Sequence, residues 1–167
     1  MRVLVLGIGN ILLQDEGVGV HVVNRLASTC ALPEGVEVID GGTAGMDLLD
    51  RVCGADALII VDCARLDAVP GTVREIVGEG VPVFFQSRVS PHQIGLSDLL
   101  GAVLLLGEMP ARMALIAIEP EAMELGLEMT PTGQEAAGRA FGVLTRRLAA
   151  WGVAVQPLPL VLPLAVA

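Results

Sequence analysis

The sequence predicts an α/β fold built on a doubly wound, mostly parallel sheet. Short apolar runs suited to buried strands alternate with segments of helical spacing. Such alternation is typical of right-handed β–α–β crossovers, which leave the strands parallel. The 167 residues show neither an internal repeat nor an interdomain linker, and they suffice for one sizeable core. We therefore expect a single domain over residues 1–155 and a proline- and leucine-rich tail over 156–167.

The N-terminal half alternates strand and helix. Residues 2–7, RVLVLG, form a nearly continuous apolar run, which is typical of a strand buried on both faces. A helix is predicted over 17–29, where Val18, Val22 and Leu26 share one face. The following predicted elements are a strand over 36–40, a short helix over 45–53 and a strand over 55–62.

The C-terminal half continues the alternation. Residues 71–77 alternate apolar and polar side chains, which favours an outer strand. Helical spacing follows over 94–108, and a buried strand is predicted over 112–118. The last element is a long amphipathic helix over 132–151, with Thr132 as its expected N-cap. The three prolines in the tail beyond it exclude a straight helix there, and we expect the tail either to pack along the surface or to be disordered.

Composition excludes several classes of protein. The formal charge is −9 and every basic residue is arginine, so the chain is a poor candidate for nucleic-acid binding. The three cysteines are Cys30, Cys53 and Cys63, and no two of them form a CxxC pair. This spacing fits a protein of a reducing compartment, and we expect each cysteine to be a buried, small apolar residue. Neither a signal peptide nor a membrane-spanning segment is recognisable. We expect a cytoplasmic monomer without membrane contact.

Acidic residues follow three strands of the predicted sheet. Asp15 and Glu16 lie in the turn after the first strand, Asp40 ends the second and Asp62 ends the third. In open α/β sheets this edge is where ligands bind, near a topological switch point. Carboxylates gathered there repel one another unless a cation compensates them. A loop histidine, His92, completes a mixed oxygen and nitrogen set that suits Zn, Ni, Mn or Fe.

Each residue also has an interpretation without a metal. Asp15 is our expected N-cap of the first helix, and Glu16 would favour the helix dipole. Asp40 would cap the following turn, and Asp62 would be a solvated strand end. Taken jointly, four acids and a histidine at one edge favour a site. His21 does not share a helix face with Glu16, and we interpret it as structural.

Glycines accompany both acidic turns. Gly7 and Gly9 resemble the start of a dinucleotide fingerprint, but Leu12 stands where the third glycine belongs, so a nucleotide-binding domain is a weak alternative. The second turn is DGGTAG, residues 40–45. Its glycines permit positive φ and a close approach of another backbone, so we expect Gly41, Gly42 and Thr43 to form a substrate loop that docks an extended peptide. A plain tight turn is the alternative.

The sequence resembles the nickel–iron hydrogenase maturation endopeptidases, and the HybD-like branch in particular. The resemblance rests on GIGNILLQDEGVG, DGGTAG, LIIVD, SPHQIGL and LEMTPTGQEA, which occur in order from residue 1 to about residue 135. It implies a three-layer fold in which a twisted, mostly parallel five-stranded sheet is flanked by helices. It also implies removal of a C-terminal extension from the hydrogenase large-subunit precursor after nickel insertion.

The resemblance further implies site roles. The residues matching the family's metal contacts are Glu16, Asp62 and His92, and Asp40 matches a position associated with substrate or catalysis. Two mechanisms remain open. A divalent metal resident in the protease would polarise the scissile carbonyl or activate water. Alternatively, the three residues recognise nickel already held by the precursor, with Asp40 as general base, and we favour this account. A non-catalytic, nickel-sensing assembly factor would use the same ligands.

Overall fold

The computed structural model describes the backbone of residues 1–86 and 91–159 and the side chains of residues 1–86 and 95–159. Within these ranges the strands are β1 (Val3–Ile8), β2 (Cys30–Ala31), β3 (Val36–Gly42), β4 (Ala57–Cys63), β5 (Val73–Val77), β6 (Arg112–Ile118) and β7 (Gln156–Pro157). The helices are α1 (Val18–Thr29), α2 (Leu49–Val52), α3 (Gly80–Gln86), α4 (Pro91–Leu105) and α5 (Pro131–Ala150). Short 3₁₀ turns cover Gln14–Gly17 and Gly45–Leu48.

Five of the described strands form one sheet in the order β3-β1-β4-β6-β5. Strand β1 runs parallel to β3 and β4, and β4 runs parallel to β6. Only β5, at one edge, is antiparallel to its neighbour. The predicted mostly parallel sheet and the outer strand over 71–77 are both confirmed.

Helices cover both faces of the sheet, which gives three layers. The sheet residues alternate between two cores, so that Leu58 and Ile60 face α2, α3 and α4, while Ile59 and Val61 face α1 and α5. The central strand β4 is buried along its whole length. Burial on both faces explains why its sequence is an unbroken apolar run.

The structure corrects one prediction and adds one element. Thr130, not Thr132, caps α5, because its hydroxyl accepts a hydrogen bond from the Gly133 amide at 2.9 Å. Helix α3 was not predicted, although Val81, Phe84 and Phe85 are buried at helical spacing. Pro82 lies in its first turn, where proline is tolerated because no intrahelical partner is lost.

The beginning of the tail packs onto the domain. Gln156 and Pro157 pair with β2, and the Leu158 amide donates to the Thr29 carbonyl oxygen at 2.8 Å. Residues 160–167 lie outside the described residues, so the prediction for the rest of the tail and the boundary at 155 stay predictions. Among the described helices, none combines the length and the apolar character needed to cross a bilayer.

Candidate active site at the carboxyl edge of the sheet

The site lies at the topological switch point between β1 and β4. The chain leaves β1 toward β3 on one side, while β4 continues the sheet on the other, so a crevice opens between their carboxyl ends. The turn Gln14–Gly17 packs against β4 and against Gly9 at the end of β1. Gly9 has φ of +133°, and a side chain there would collide with the Glu16 carbonyl oxygen. Glycine is therefore required for the turn to lie this close to the strand end.

Two of the predicted carboxylates, Glu16 and Asp62, lie near Cys63 at the end of β4. Asp62 is completely buried, and the Oε2 atom of Glu16 is buried as well. Both carboxylates act electrostatically on the neighbouring Cys63 thiol. Burial raises the pKa of that thiol, and the charges of Asp62 and Glu16 raise it further. This strand end is therefore acidic.

Cys63 itself is not placed for nucleophilic chemistry. It belongs to the core that faces α1 and α5, with its sulfur 4.0 Å from the Met123 sulfur. The preceding residue, Asp62, faces the other side of the strand, as alternation requires. The raised pKa of Cys63 keeps its thiol protonated at neutral pH.

Asp15 is not the N-cap of α1, so that prediction was wrong. Gly17 holds the cap position, and the Asp15 carboxylate turns instead toward the loop before α5. It accepts hydrogen bonds from the backbone amides of Glu121 at 3.0 Å, Ala122 at 3.4 Å and Thr130 at 2.8 Å, and from the Thr130 hydroxyl at 2.8 Å. Asp15 is only 1% exposed, so these four donors supply the hydrogen bonds that water would make to an exposed carboxylate.

Sequence reasoning missed a third buried carboxylate, Glu119, directly after β6. It is 6% exposed and accepts hydrogen bonds from the backbone amides of Leu66 and Ala68, the latter at 3.4 Å. It thereby fixes the loop after β4 beside Asp62. A signal for Glu119 was present in the sequence, because this acid directly follows an apolar strand. The same pattern was used to predict Asp62. Asp15 and Glu119 both add to the electrostatic rise in the pKa of Cys63.

Asp40 occupies the same edge but the opposite face. Gly7 of β1 pairs with Asp40 on one side and with Val61 on the other, so Asp40 faces α1, as Val61 does, and Asp62 faces away. One strand separates β3 from β4, which puts about 10 Å between their backbones. Asp40 is exposed and accepts hydrogen bonds from the Asn24 side chain at 3.2 Å and the Gly42 amide at 3.1 Å. The Gly42 hydrogen bond confirms that Asp40 caps the turn that follows it. A catalytic role for the exposed carboxylate is compatible with this cap.

A cavity of about 180 Å³ opens beside Asp40. It is lined by Gly9, Asn10, Ile11, Val20, Asp40, Gly42 and Thr43. Of the predicted substrate loop, Gly42 and Thr43 border this cavity, whereas Gly41 is buried against Ile8 and Leu48. The cavity size suits one amino-acid side chain or a short stretch of backbone.

The third predicted metal contact, the side chain of His92, lies outside the described residues. The backbone places residue 92 in the first turn of α4. Further along this helix, Gly95 approaches the loop after Asp40 so closely that a Cβ on Gly45 would lie 3.4 Å from the Gly95 Cα atom. This contact brings the start of α4 to the carboxyl edge of the sheet.

The described side chains contain no group of three or more histidine, cysteine, aspartate or glutamate residues arranged to hold a metal. Glu16 and Asp62 supply two oxygen donors, which fit a divalent cation when a third donor joins them. The other histidine, His21, lies on α1 and is half-buried, and its Nε2 atom has no hydrogen-bond partner among the described residues.

Comparison with known proteins agrees with this architecture. Residues 20–147 match the HycI family model, described as hydrogenase maturation protease. The chain is 46% identical over 133 residues to the hydrogenase 2 maturation protease of Escherichia coli, covering 79% of this chain and 81% of that one. It is 41% identical over 156 residues to the hydrogenase expression/formation protein HupD of Rhodobacter capsulatus, covering 92% and 74%.

Solved structures show the same relationship. The hydrogenase maturating endopeptidase HybD from E. coli superimposes with a TM-score of 0.90 at 42% identity, covering 94% of this chain and 98% of that one. The maturation protease HybD from Thermococcus kodakarensis gives a TM-score of 0.74 at 26% identity, covering 88% and 99%. The family match spans more than half of the chain, and the fold agrees with it. The chain belongs to the hydrogenase maturation protease family and is an endopeptidase.

Proposed function

We propose that this endopeptidase removes the C-terminal extension of a nickel–iron hydrogenase large-subunit precursor once nickel has been inserted. Family membership carries the proposal, since the E. coli relative is named a hydrogenase 2 maturation protease. Membership of this family also disfavours the alternative of a nucleotide-binding domain. We place the reaction in the cytoplasm and take the active form to be a monomer.

In this proposal Glu16, Asp62 and His92 recognise nickel that the precursor already carries. The position of both carboxylates at the carboxyl edge of the sheet, with Asp62 buried there, supports this role, because ligands of open α/β sheets bind at this edge. The four hydrogen bonds that Asp15 accepts hold the neighbouring Glu16 in position. Recognition of nickel then aligns the scissile bond with the rest of the site.

The cavity beside Asp40 would receive the chain around the scissile bond. Asp40 is exposed there, and the Asn24 and Gly42 hydrogen bonds orient its carboxylate. As general base it would take a proton from water as the water oxygen attacks the carbonyl carbon, and it would return the proton to the departing amine. The described part of the site offers no activated serine or cysteine, since Cys63 is buried with a raised pKa.

Incubating the purified protein with the organism's own nickel-loaded large-subunit precursor tests the proposal. We expect one cut near the precursor's C-terminus, seen by mass spectrometry as a single shortened large subunit and one released peptide. A non-catalytic assembly factor would bind the precursor and leave its mass unchanged. An intact precursor after incubation would therefore refute the proposed reaction, and Asp40→Asn serves as the inactive control.

A further inference from the structure

An exposed apolar surface borders the candidate site. It consists of Ile11, Leu12, Leu125 and Leu127, which are 45%, 51%, 86% and 69% exposed. We call these four residues the double-loop surface, because two come from the loop after β1 and two from the loop before α5. Exposed leucines are unremarkable singly, but a cluster beside a functional crevice indicates an interaction surface.

The two loops are joined through their main chains. The Gly126 amide donates to the Leu12 carbonyl oxygen at 2.9 Å, and the Gln14 amide donates to the Gly126 carbonyl oxygen at 2.9 Å. Leu125 and Leu127 flank Gly126 and so lie next to Leu12. The Asp15 carboxylate fastens both ends of the second loop. The surface is thus held in place before any partner arrives, which lowers the entropic cost of binding.

The double-loop surface is continuous with the proposed peptide site. Ile11 belongs to it and also lines the cavity beside Asp40. The loop that carries Leu12 continues directly into Glu16. A protein whose processed segment lies in the crevice would therefore cover this surface.

The charges around the double-loop surface indicate which charges the partner carries. Glu121, Glu124 and Glu128 are exposed on the same loop as Leu125 and Leu127, and residues 119–130 include no basic side chain. A complementary partner presents an apolar area ringed by lysine or arginine.

We propose that the double-loop surface docks the folded body of the large-subunit precursor, through an apolar area of the precursor surrounded by basic residues. This inference rests on the proposed function. The double-loop surface contributes binding affinity from outside the crevice. The residues of the crevice recognise nickel and carry out the cleavage. Loss of the surface should therefore weaken binding and spare the chemical step.

The test compares Leu125→Ser/Leu127→Ser with Leu105→Ser, which removes an even more exposed leucine, 90%, at the end of α4. With nickel-loaded precursor, the double variant should raise KM at least about tenfold and keep kcat within about twofold of wild type. Leu105→Ser should change neither constant. Urea midpoints equal to wild type would confirm that the variants are folded, as these exposed positions predict.

A charge test is independent of the leucines. Glu124→Arg/Glu128→Arg should also raise KM, with a larger effect at low salt, because the reversed charges repel a basic rim. Glu108→Arg, at an exposed position after α4, is the matched control and should leave KM unchanged. An unchanged KM in both double variants would overturn the docking inference.

Binding of nickel-free precursor, measured by biolayer interferometry, separates this inference from the proposed function. If wild type cuts no precursor, the proposed function fails, and binding alone decides the docking surface. Binding that is lost in the leucine variant and kept in Leu105→Ser supports docking, whereas equal or absent binding refutes it. A wild-type dimer that the leucine variant dissociates in ultracentrifugation would assign the surface to a second copy of the chain and refute the inference.

Discussion

The Asp15 carboxylate accepts two hydrogen bonds from Thr130, one from its backbone amide and one from its hydroxyl, each 2.8 Å long. Thr130 in turn caps α5, so one buried carboxylate links the turn after β1 to the start of the last helix. This link places Glu16 relative to the loop before α5. The stability of the fold and the geometry of the site therefore depend on the same residue.

Replacing Asp15 with asparagine should destabilise the protein by about 2–4 kcal/mol. An amide has one acceptor oxygen where the carboxylate has two, and its NH₂ group would face the donors that the carboxylate now accepts. Urea unfolding measures the loss. Asp50→Asn, at an exposed position on α2, should stay within about 0.5 kcal/mol of wild type. Equal unfolding free energies for the two variants would contradict this role of Asp15.

Two glycines of α5 provide a matched pair. A Cβ on Gly133 would collide with the Asp15 carboxylate, whereas a Cβ on Gly138 would meet no atom within 4 Å. Gly133→Ala should therefore destabilise the fold by about 1–3 kcal/mol. Gly138→Ala should stabilise it by about 0.5–1 kcal/mol, because alanine is the better helix former. Thermal unfolding of both variants is the measurement, and a stabilising Gly133→Ala would refute the close packing at Asp15.

Cys63→Ala should retain cleavage of the nickel-loaded precursor at close to the wild-type rate. The thiol is buried, its raised pKa keeps it protonated, and it faces the core opposite Asp62. The substitution should cost about 1–2 kcal/mol of stability, because it removes a buried sulfur. Cleavage kinetics at a temperature where the variant is folded decide the point. A folded but inactive variant would indicate thiol chemistry.

The purified protein should also bind about one divalent ion through two carboxylates and one imidazole. Calorimetry with nickel should show weaker binding for Glu16→Gln and for His92→Ala. His21→Ala is the control, because His21 lies half-buried on α1 and has no place in the proposed ligand set. An equal loss of binding in His21→Ala would overturn the assignment of the ligands.

Local patterns in the sequence are sufficient to predict most of the fold, because its buried strands are continuous apolar runs bounded by glycine and acids. The unexpected helix α3 shows the limit of this reasoning, since Pro82 obscures a helical spacing that only tertiary burial reveals. The cap of α5 shows a second limit, because two threonines two residues apart compete and the Asp15 contact favours Thr130.

For the site, sequence predicts that Glu16, Asp40 and Asp62 reach the carboxyl edge of the sheet, because strand ends are recognisable. The acid after β6, Glu119, was missed. Sequence does not predict which face each acid takes. That depends on the register of β1 with β3 and β4, which puts Asp40 and Asp62 on opposite faces. The role of Asp15 was also beyond a local interpretation, since its donors lie more than 100 residues away along the chain.

In the proposed function, nickel in the precursor permits cleavage once Glu16, Asp62 and His92 recognise it. The most direct measurement is a gel-shift time course of nickel-loaded and nickel-free precursor with the wild-type protein and with Asp62→Asn, whose fold is checked by circular dichroism. Wild type should cut only the nickel-loaded precursor, and Asp62→Asn should cut neither. Equal cleavage of the nickel-free precursor by wild type would show that nickel in the precursor does not control cleavage.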